Sequence, residues 1–246
     1  ASRTMQFCGH CCLDACKKAR DQILDIAGKM LGIYEPTQLD IRNGYVYVKT
    51  YDKVRVSVEE VANAAINKYC HPIIATAVYA STATPTDADG HALMYECHTF
   101  GTQIAEVDVD ECTGEVELLK MVAVHSCGTA INPMLVEGQI NGGVHMGIGQ
   151  ALTEQMHEKK DGTVVSNNFS EYHLVTAADM PKQMITGIVE CEVDNGPYGA
   201  SGLSEGAPSP TPAAIGNAVS DAIGVRLRSL PLTPESVLLA MTRAER

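Results

Sequence analysis

Asn195-Gly196-Pro197-Tyr198-Gly199-Ala200-Ser201-Gly202-Leu203-Ser204-Glu205-Gly206 is the stretch on which the reading of this chain turns. It lies between a strand-like run, Ile185 to Val193, and a helix-like run, Ala213 to Ile223. Glycines let the backbone adopt φ > 0 and let a ligand approach closely. A glycine loop that opens a helix leaves N–H groups that suit an anion. Glu205 is the loop's one carboxylate and the group expected to move a proton.

Working outward, the helix after the loop is expected to end at Gly224. Thr233-Pro234-Glu235 reads as N-cap, first helical position and first turn of a last helix. Upstream, Asn132-Pro133 starts a glycine-rich helix through Glu154. Glycine costs a helix about 1 kcal/mol per residue, so Gly138, Gly142, Gly143, Gly147 and Gly149 imply close packing against something flat. Thr99 to Asp108 and Glu115 to His125 read as two strands joined by an acidic turn, and Glu171 to Pro181 as a strand running into a loop. Tyr79 to Asp89 reads as loop. Ser57-Val58-Glu59-Glu60 is a capping box for a helix over 58–68. Gln38 to Val48 is a hairpin whose Asn43-Gly44 suits a type I′ turn. Leu13, Ala15, Cys16, Ala19, Ile23, Leu24, Ala27 and Leu31 recur at helical spacing from about Gly9 to Leu31. The fold class is therefore α+β, mixed sheets packed with helices, with antiparallel strands. The expected organisation is one domain portion over 1–246, with a division into subdomains at about 1–98 and 99–246.

Composition bounds the function. The formal charge of −12 argues against a nucleic-acid surface and against an anionic membrane. No apolar run is long enough to span a bilayer, and no leader sequence is read. A chain that opens on Ala1 rather than Met is expected to lack its true start. Nine cysteines without a spaced framework fit a reducing cytoplasm.

The same residues allow competing chemistries. Gly202-Leu203-Ser204-Glu205-Gly206 matches the G-x-S-x-G of serine hydrolases, but the last histidine, His173, precedes the serine. Cys8, His10, Cys11, Cys12 and Cys16 could suggest a metal module, against the plainer reading of cysteines as small buried hydrophobes. His145 and His173 read as packed or surface residues. Asp108 and Asp110 lack the spacing of a calcium loop. Glu205 could also serve only to cap the helix that follows.

The order of motifs resembles a known family. Gly196 to Glu205 is similar to the G-P-x-G-A-[SK]-G-[VL]-G-E segment of the molybdenum hydroxylases, the xanthine dehydrogenase and aldehyde oxidoreductase family. Pro212 to Arg226 and Leu230 to Glu235 resemble the segments that follow it. Gly128 to Pro133, Glu137 to Gly143 and Gly147 to Glu154 resemble the D-x-G-x-x-[IL]-N-P and G-Q-x-x-G stretches upstream. The resemblance covers essentially the whole chain and places it in the C-terminal part of the molybdopterin-binding subunit.

That resemblance implies roles. Glu205 would be the general base that takes the proton from a molybdenum-bound hydroxide. Ala1, Ser2, Arg3 and Thr4 would hold the pterin, and Leu203 and Ser204 would touch it. Ser204 stands where the family has glycine. The metal would be held by the pterin dithiolene, so no protein ligand to metal is expected. The cofactor implied is molybdopterin, in its cytosine dinucleotide form, carrying molybdenum with a terminal sulfido or selenido ligand. The upstream cofactor motifs and the iron–sulfur and flavin domains are not found in this sequence. A second molybdopterin-binding subunit, an iron–sulfur (2Fe-2S) subunit and an FAD subunit are therefore the expected partners. The split arrangement resembles that of nicotinate dehydrogenases and implies an N-heteroaromatic substrate, nicotinate hydroxylated to 6-hydroxynicotinate with oxygen from water. Purines or aldehydes are the rival substrates, and a non-catalytic assembly subunit is the rival of another class.

Overall fold

In the computed structural model, residues 2–244 are described, and they divide into two compact units: 7–82, and 2–6 with 83–244. The helix α1 (Thr4–Leu31) starts earlier than its apolar spacing suggests.

Within residues 7–82, a hairpin of β1 (Leu39–Arg42) and β2 (Tyr45–Val48) turns at Asn43-Gly44, both at positive φ. A third strand, β3 (Tyr51–Ser57), extends it antiparallel. Sequence reasoning missed β3, most of whose side chains are exposed. The helix α2 (Val58–Asn67) starts on the expected capping box: Ser57 Oγ accepts from Glu60 N–H, and the Glu60 carboxylate accepts from Ser57 N–H. Leu24, Ile26 and Ala27 of α1 pack with Leu39, Val46, Val56, Val61 and Ala65 into one core. Burying a valine such as Val46 contributes about 1.5–3 kcal/mol. Cys8, Cys12 and Cys16 are exposed and Cys11 half-buried, so the expectation of buried cysteines is not met.

The larger unit is built on a three-stranded sheet in the order β4 (Gly101–Val109), β5 (Val116–Ser126), β6 (Gln183–Val189). β4 and β5 are antiparallel, with Ile104 opposite Val122. β6 runs parallel to β5, with Val122 opposite Ile185, so the expectation of antiparallel strands holds for only one of the two pairings. A parallel neighbour needs a crossover, and α3 (Pro133–Leu152) supplies its helix. Asn132 caps α3, its Oδ1 accepting from Leu135 N–H. The strand expected in 171–181 is not formed. That stretch is a series of turns, with Tyr172 N–H on Asn168 O and Asp179 N–H on Thr176 O.

Two further helices, α4 (Thr211–Ile223) and α5 (Pro234–Ala244), complete the unit. Leu118, Met121 and Ala123 of β5 pack with Ile140, Val144 and Ile148 of α3 and with Ile215 and Val219 of α4. Two of the α3 glycines, Gly143 and Gly147, face the segment that leads into α4 rather than a flat sheet. A Cβ on Gly143 would lie 2.4 Å from Ala207 Cβ, and one on Gly147 2.3 Å from Thr211 Cβ. Among the described residues, no helix is long and apolar enough to cross a membrane.

Candidate functional site

The parallel pair β5 and β6 sends both carboxyl ends toward the Asn195–Gly206 loop, the end of an open sheet where ligands collect. After β5, Ser201 N–H donates to Cys127 O and Thr129 N–H to Gly199 O, both at 2.8 Å. Gly128 forms a bridge with Ala200 at φ +67, and a Cβ there would lie 2.1 Å from Gly199 O. After β6, Val193 N–H donates to Gly199 O. Tyr198 sits in a short helical turn, Pro197–Gly199, at positive φ with its ring exposed.

Residues 2–6 close the loop from the other side. Ser2 Oγ accepts from Glu205 N–H at 2.9 Å. The Gln6 side chain, buried, donates to Asn195 O. Gly202 is pressed so close that a Cβ would lie 2.0 Å from Ser2 O. From α3, Gln139 Oε1 accepts the hydroxyl of Ser204 at 2.5 Å. Three other stretches, 2–6, 127–129 and Gln139, thus meet the loop at 195–205.

The predicted site residues fall as follows. Ser2 is half-buried, Arg3 and Thr4 are exposed, and Thr4 opens α1. Ala1 lies outside the described residues. Ser204 and Glu205 are exposed at the tip of the loop. Leu203 is buried in the core, so only its backbone remains for a ligand. Glu205 does not occupy the cap of the next helix, because the N-cap of α4 is Pro210. Ser204 bonds to a glutamine rather than a histidine, which removes the hydrolase reading. The reading missed Gln6 and Gln139. Gln139 lies inside a quoted motif and could have been found there; a lone helical glutamine such as Gln6 carries no such signal.

Behind the loop a buried network fixes its exit. Gln103 Nε2 donates to Ala207 O at 2.7 Å and lies 3.0 Å from His125 Nε2. Thr211 Oγ1 donates to Gln103 Oε1 at 2.6 Å. His125 is buried, and burial pushes its pKa below the ordinary value. His145 Nε2 donates to Val175 O, a packing role as expected. A separate cleft of about 840 Å³ opens at the other end of the sheet, against Asp108, Glu117 and Asp179, and shares no residue with the loop.

These residues suit a phosphate-bearing organic cofactor better than a bare metal ion. The hydroxyl of Ser201 is buried within the loop without a hydrogen-bond partner among the described residues, so it can still donate. The first N–H groups of α1, beginning at Thr4, have no acceptor within a helix and favour an anion. No group of three metal-binding side chains gathers among the described residues, which leaves the Cys8–Cys16 region without a metal cage.

Comparison with known proteins gives the family. Residues 1–181 match the model of the molybdopterin cofactor-binding domain. The chain is 33% identical over 251 aligned residues to the nicotine 6-hydroxylase large subunit of Paenarthrobacter nicotinovorans, covering 97% of this chain and 29% of that one. It is 39% identical over 137 residues to the putative xanthine dehydrogenase molybdenum-binding subunit of Escherichia coli, covering 55% of this chain and 18% of that one. Among solved structures, quinoline 2-oxidoreductase from Pseudomonas putida superposes with a TM-score of 0.74 at 29% identity, over 91% of this chain and 28% of that one. The chain belongs to the molybdopterin-binding domain family of the molybdenum hydroxylases. It spans less than a third of the length of these relatives.

Proposed function

We propose that this chain is one part of the molybdopterin-binding subunit of a hydroxylase acting on an electron-poor carbon of an N-heteroaromatic substrate, with water as oxygen source. The observation that carries the reading is the meeting of residues 2–6, Gln139 and the Gly196–Glu205 loop around one exposed carboxylate. When bound, molybdopterin, as its cytosine dinucleotide and with a sulfido or selenido ligand on molybdenum, supplies the two-electron redox chemistry. Ser2, Arg3, Thr4 and the backbone at Leu203 and Ser204 hold it, with Ser201 as a further donor. Glu205 is the general base: its carboxylate oxygen takes up the proton that water loses as the new C–O bond forms. Its backbone is held by Ser2, so the carboxylate is tied to the same segment that grips the cofactor.

The names of two relatives, nicotine hydroxylase and quinoline oxidoreductase, refer to nitrogen heterocycles and support that substrate class. Nicotinate is the first substrate to test. The 39% identity to a xanthine dehydrogenase subunit favours purines as the second. A second molybdopterin-binding chain, a 2Fe-2S subunit and an FAD subunit complete the proposed enzyme, which we place in the cytoplasm.

The test is elemental analysis and turnover of the natively purified complex, wild type and Glu205→Gln. Molybdenum and iron are expected in both. Turnover of nicotinate should fall by about 10²–10⁴-fold in E205Q, the usual contribution of a positioned base. Zinc without molybdenum on a chain that purifies alone would overturn the reading, and wild-type turnover by E205Q would remove the base.

A further inference from the structure

The sheet of the larger unit is finished on one face only. Gln103, Ala105, Met121, Ala123, Met184 and Ile188 point toward α3 and α4, as their core packing and hydrogen bonds show. Alternation sends their neighbours the other way. Register aligns Ile104, Val122 and Ile185 in one row across the three strands. Val124 lies opposite Gly187 in the next row, and Val189 ends β6 beyond them. Ile104 is 61% exposed, Ile185 47% and Val189 51%, while Val122 and Val124 are half-buried. An antiparallel sheet that faced water would alternate apolar with polar residues, and the centre of this second face is apolar. Within the described sheet, the outer edges of β4 and β6 pair with no further strand.

We propose that this face is the seat of the rest of the molybdopterin-binding subunit, a separate polypeptide presenting an apolar surface, and this rests on the reading of the chain as one part of such a subunit. Two observations select that occupant. Relatives carry this region as only 18–30% of a much longer chain, so most of the material that packs beside it lies in sequence not present here. The same sheet also ends in the candidate site, since β5 and β6 run directly into the bonds at Cys127 and Gly199. A partner lying on Val124, Gly187 and Val189 therefore reaches the rim where the cofactor must be completed. Obligate interfaces of this kind are more apolar than ordinary surface. Gly187 gives the approach its shape: a Cβ there would already lie 3.1 Å from Val124 Cγ2, so the centre of the face is shallow and closely packed.

The experiment uses the natively assembled complex, captured through a tag on this chain, with Ile104→Glu and Ile185→Glu compared with Ile104→Val and Ile185→Val. Co-purifying chains are identified by mass, and molybdenum is counted per tagged chain. The glutamate variants are expected to lower recovery of the second molybdopterin-binding chain at least tenfold. The valine variants should retain it, and the isolated tagged chain should melt as wild type because both side chains are exposed. Retention of the partner by both glutamate variants would overturn the proposal. So would a self-associated form of the tagged chain, seen by light scattering and dissolved by the same variants, because the occupant would then be a second copy. A wild-type complex holding neither molybdenum nor a second molybdopterin-binding chain would refute the functional reading first, so the two failures are distinguishable.

Discussion

Two glycines in α3 should respond to the same substitution with opposite signs. Replacing glycine by alanine in a helix gains about 0.5–1 kcal/mol when the new methyl meets nothing. At Gly142 no atom lies within 4 Å of the added Cβ, so Gly142→Ala should realise that gain. At Gly147 the Cβ would lie 2.3 Å from Thr211 Cβ and 2.7 Å from its Oγ1, and Thr211 is fully buried. The helix start must then shift, at a cost of about 1–3 kcal/mol for overpacking. The shift also strains the Thr211–Gln103 bond, worth about 1 kcal/mol. The helix gain offsets part of this, leaving a net loss of about 2 kcal/mol. For a chain of this size, 1 kcal/mol moves the midpoint by roughly 2–4 °C. Thermal unfolding followed by circular dichroism should therefore show Gly147→Ala about 4–8 °C below wild type and Gly142→Ala about 1–4 °C above it. A rise in both would refute the packing of α3 against Thr211, and no change at Gly147 would do the same.

Acid should weaken the fold through His125. Burial lowers its pKa, so the unfolded chain takes up this proton more readily, and stability is lost as pH falls below the ordinary value of 6.5. Denaturant midpoints at about pH 7.5 and about pH 5.5 should differ less in His125→Asn than in wild type; an unchanged difference would count against the buried neutral imidazole. Gly202→Ala places a methyl 2.0 Å from Ser2 O and should drive residues 2–6 off the loop. Losing one bond such as Glu205 N–H to Ser2 Oγ, about 1–1.5 kcal/mol, corresponds to roughly a tenfold fall in molybdenum retained by the purified complex. Full retention would mean that this contact does not hold the cofactor.

Local chemistry was legible in the sequence and long-range pairing was not. The Asn43-Gly44 turn, the Ser57 capping box and the helix start at Asn132-Pro133 are each written in a few adjacent residues, and each forms as expected. β3 escaped because its exposed Tyr51-Asp52-Lys53-Val54-Arg55 gives no half-buried alternation. The parallel pairing of β6 with β5 escaped because nothing in Gln183–Val189 states which way its neighbour runs. The motif order led to the Gly196–Glu205 loop and to Ser2. The buried Gln6 and the Ser201 hydroxyl are visible only once the backbone has brought their surroundings together. Cys8, Cys12 and Cys16 share one helix face, yet that face is exposed, because a spacing of four aligns side chains without saying what covers them.

The bond from Glu205 to Ser2 joins residues 203 positions apart, and that from Gln6 to Asn195 joins residues 189 apart. A ribosome delivers the first of each pair long before the second. Residues 2–6 must therefore wait, without their loop, until residues 195–205 have emerged. Contacts of such separation form late in folding. On the proposed reading, the cofactor can be loaded only after Glu205 has been made, and a truncation anywhere before Glu205 removes a residue that Ser2 holds as well as the proposed base.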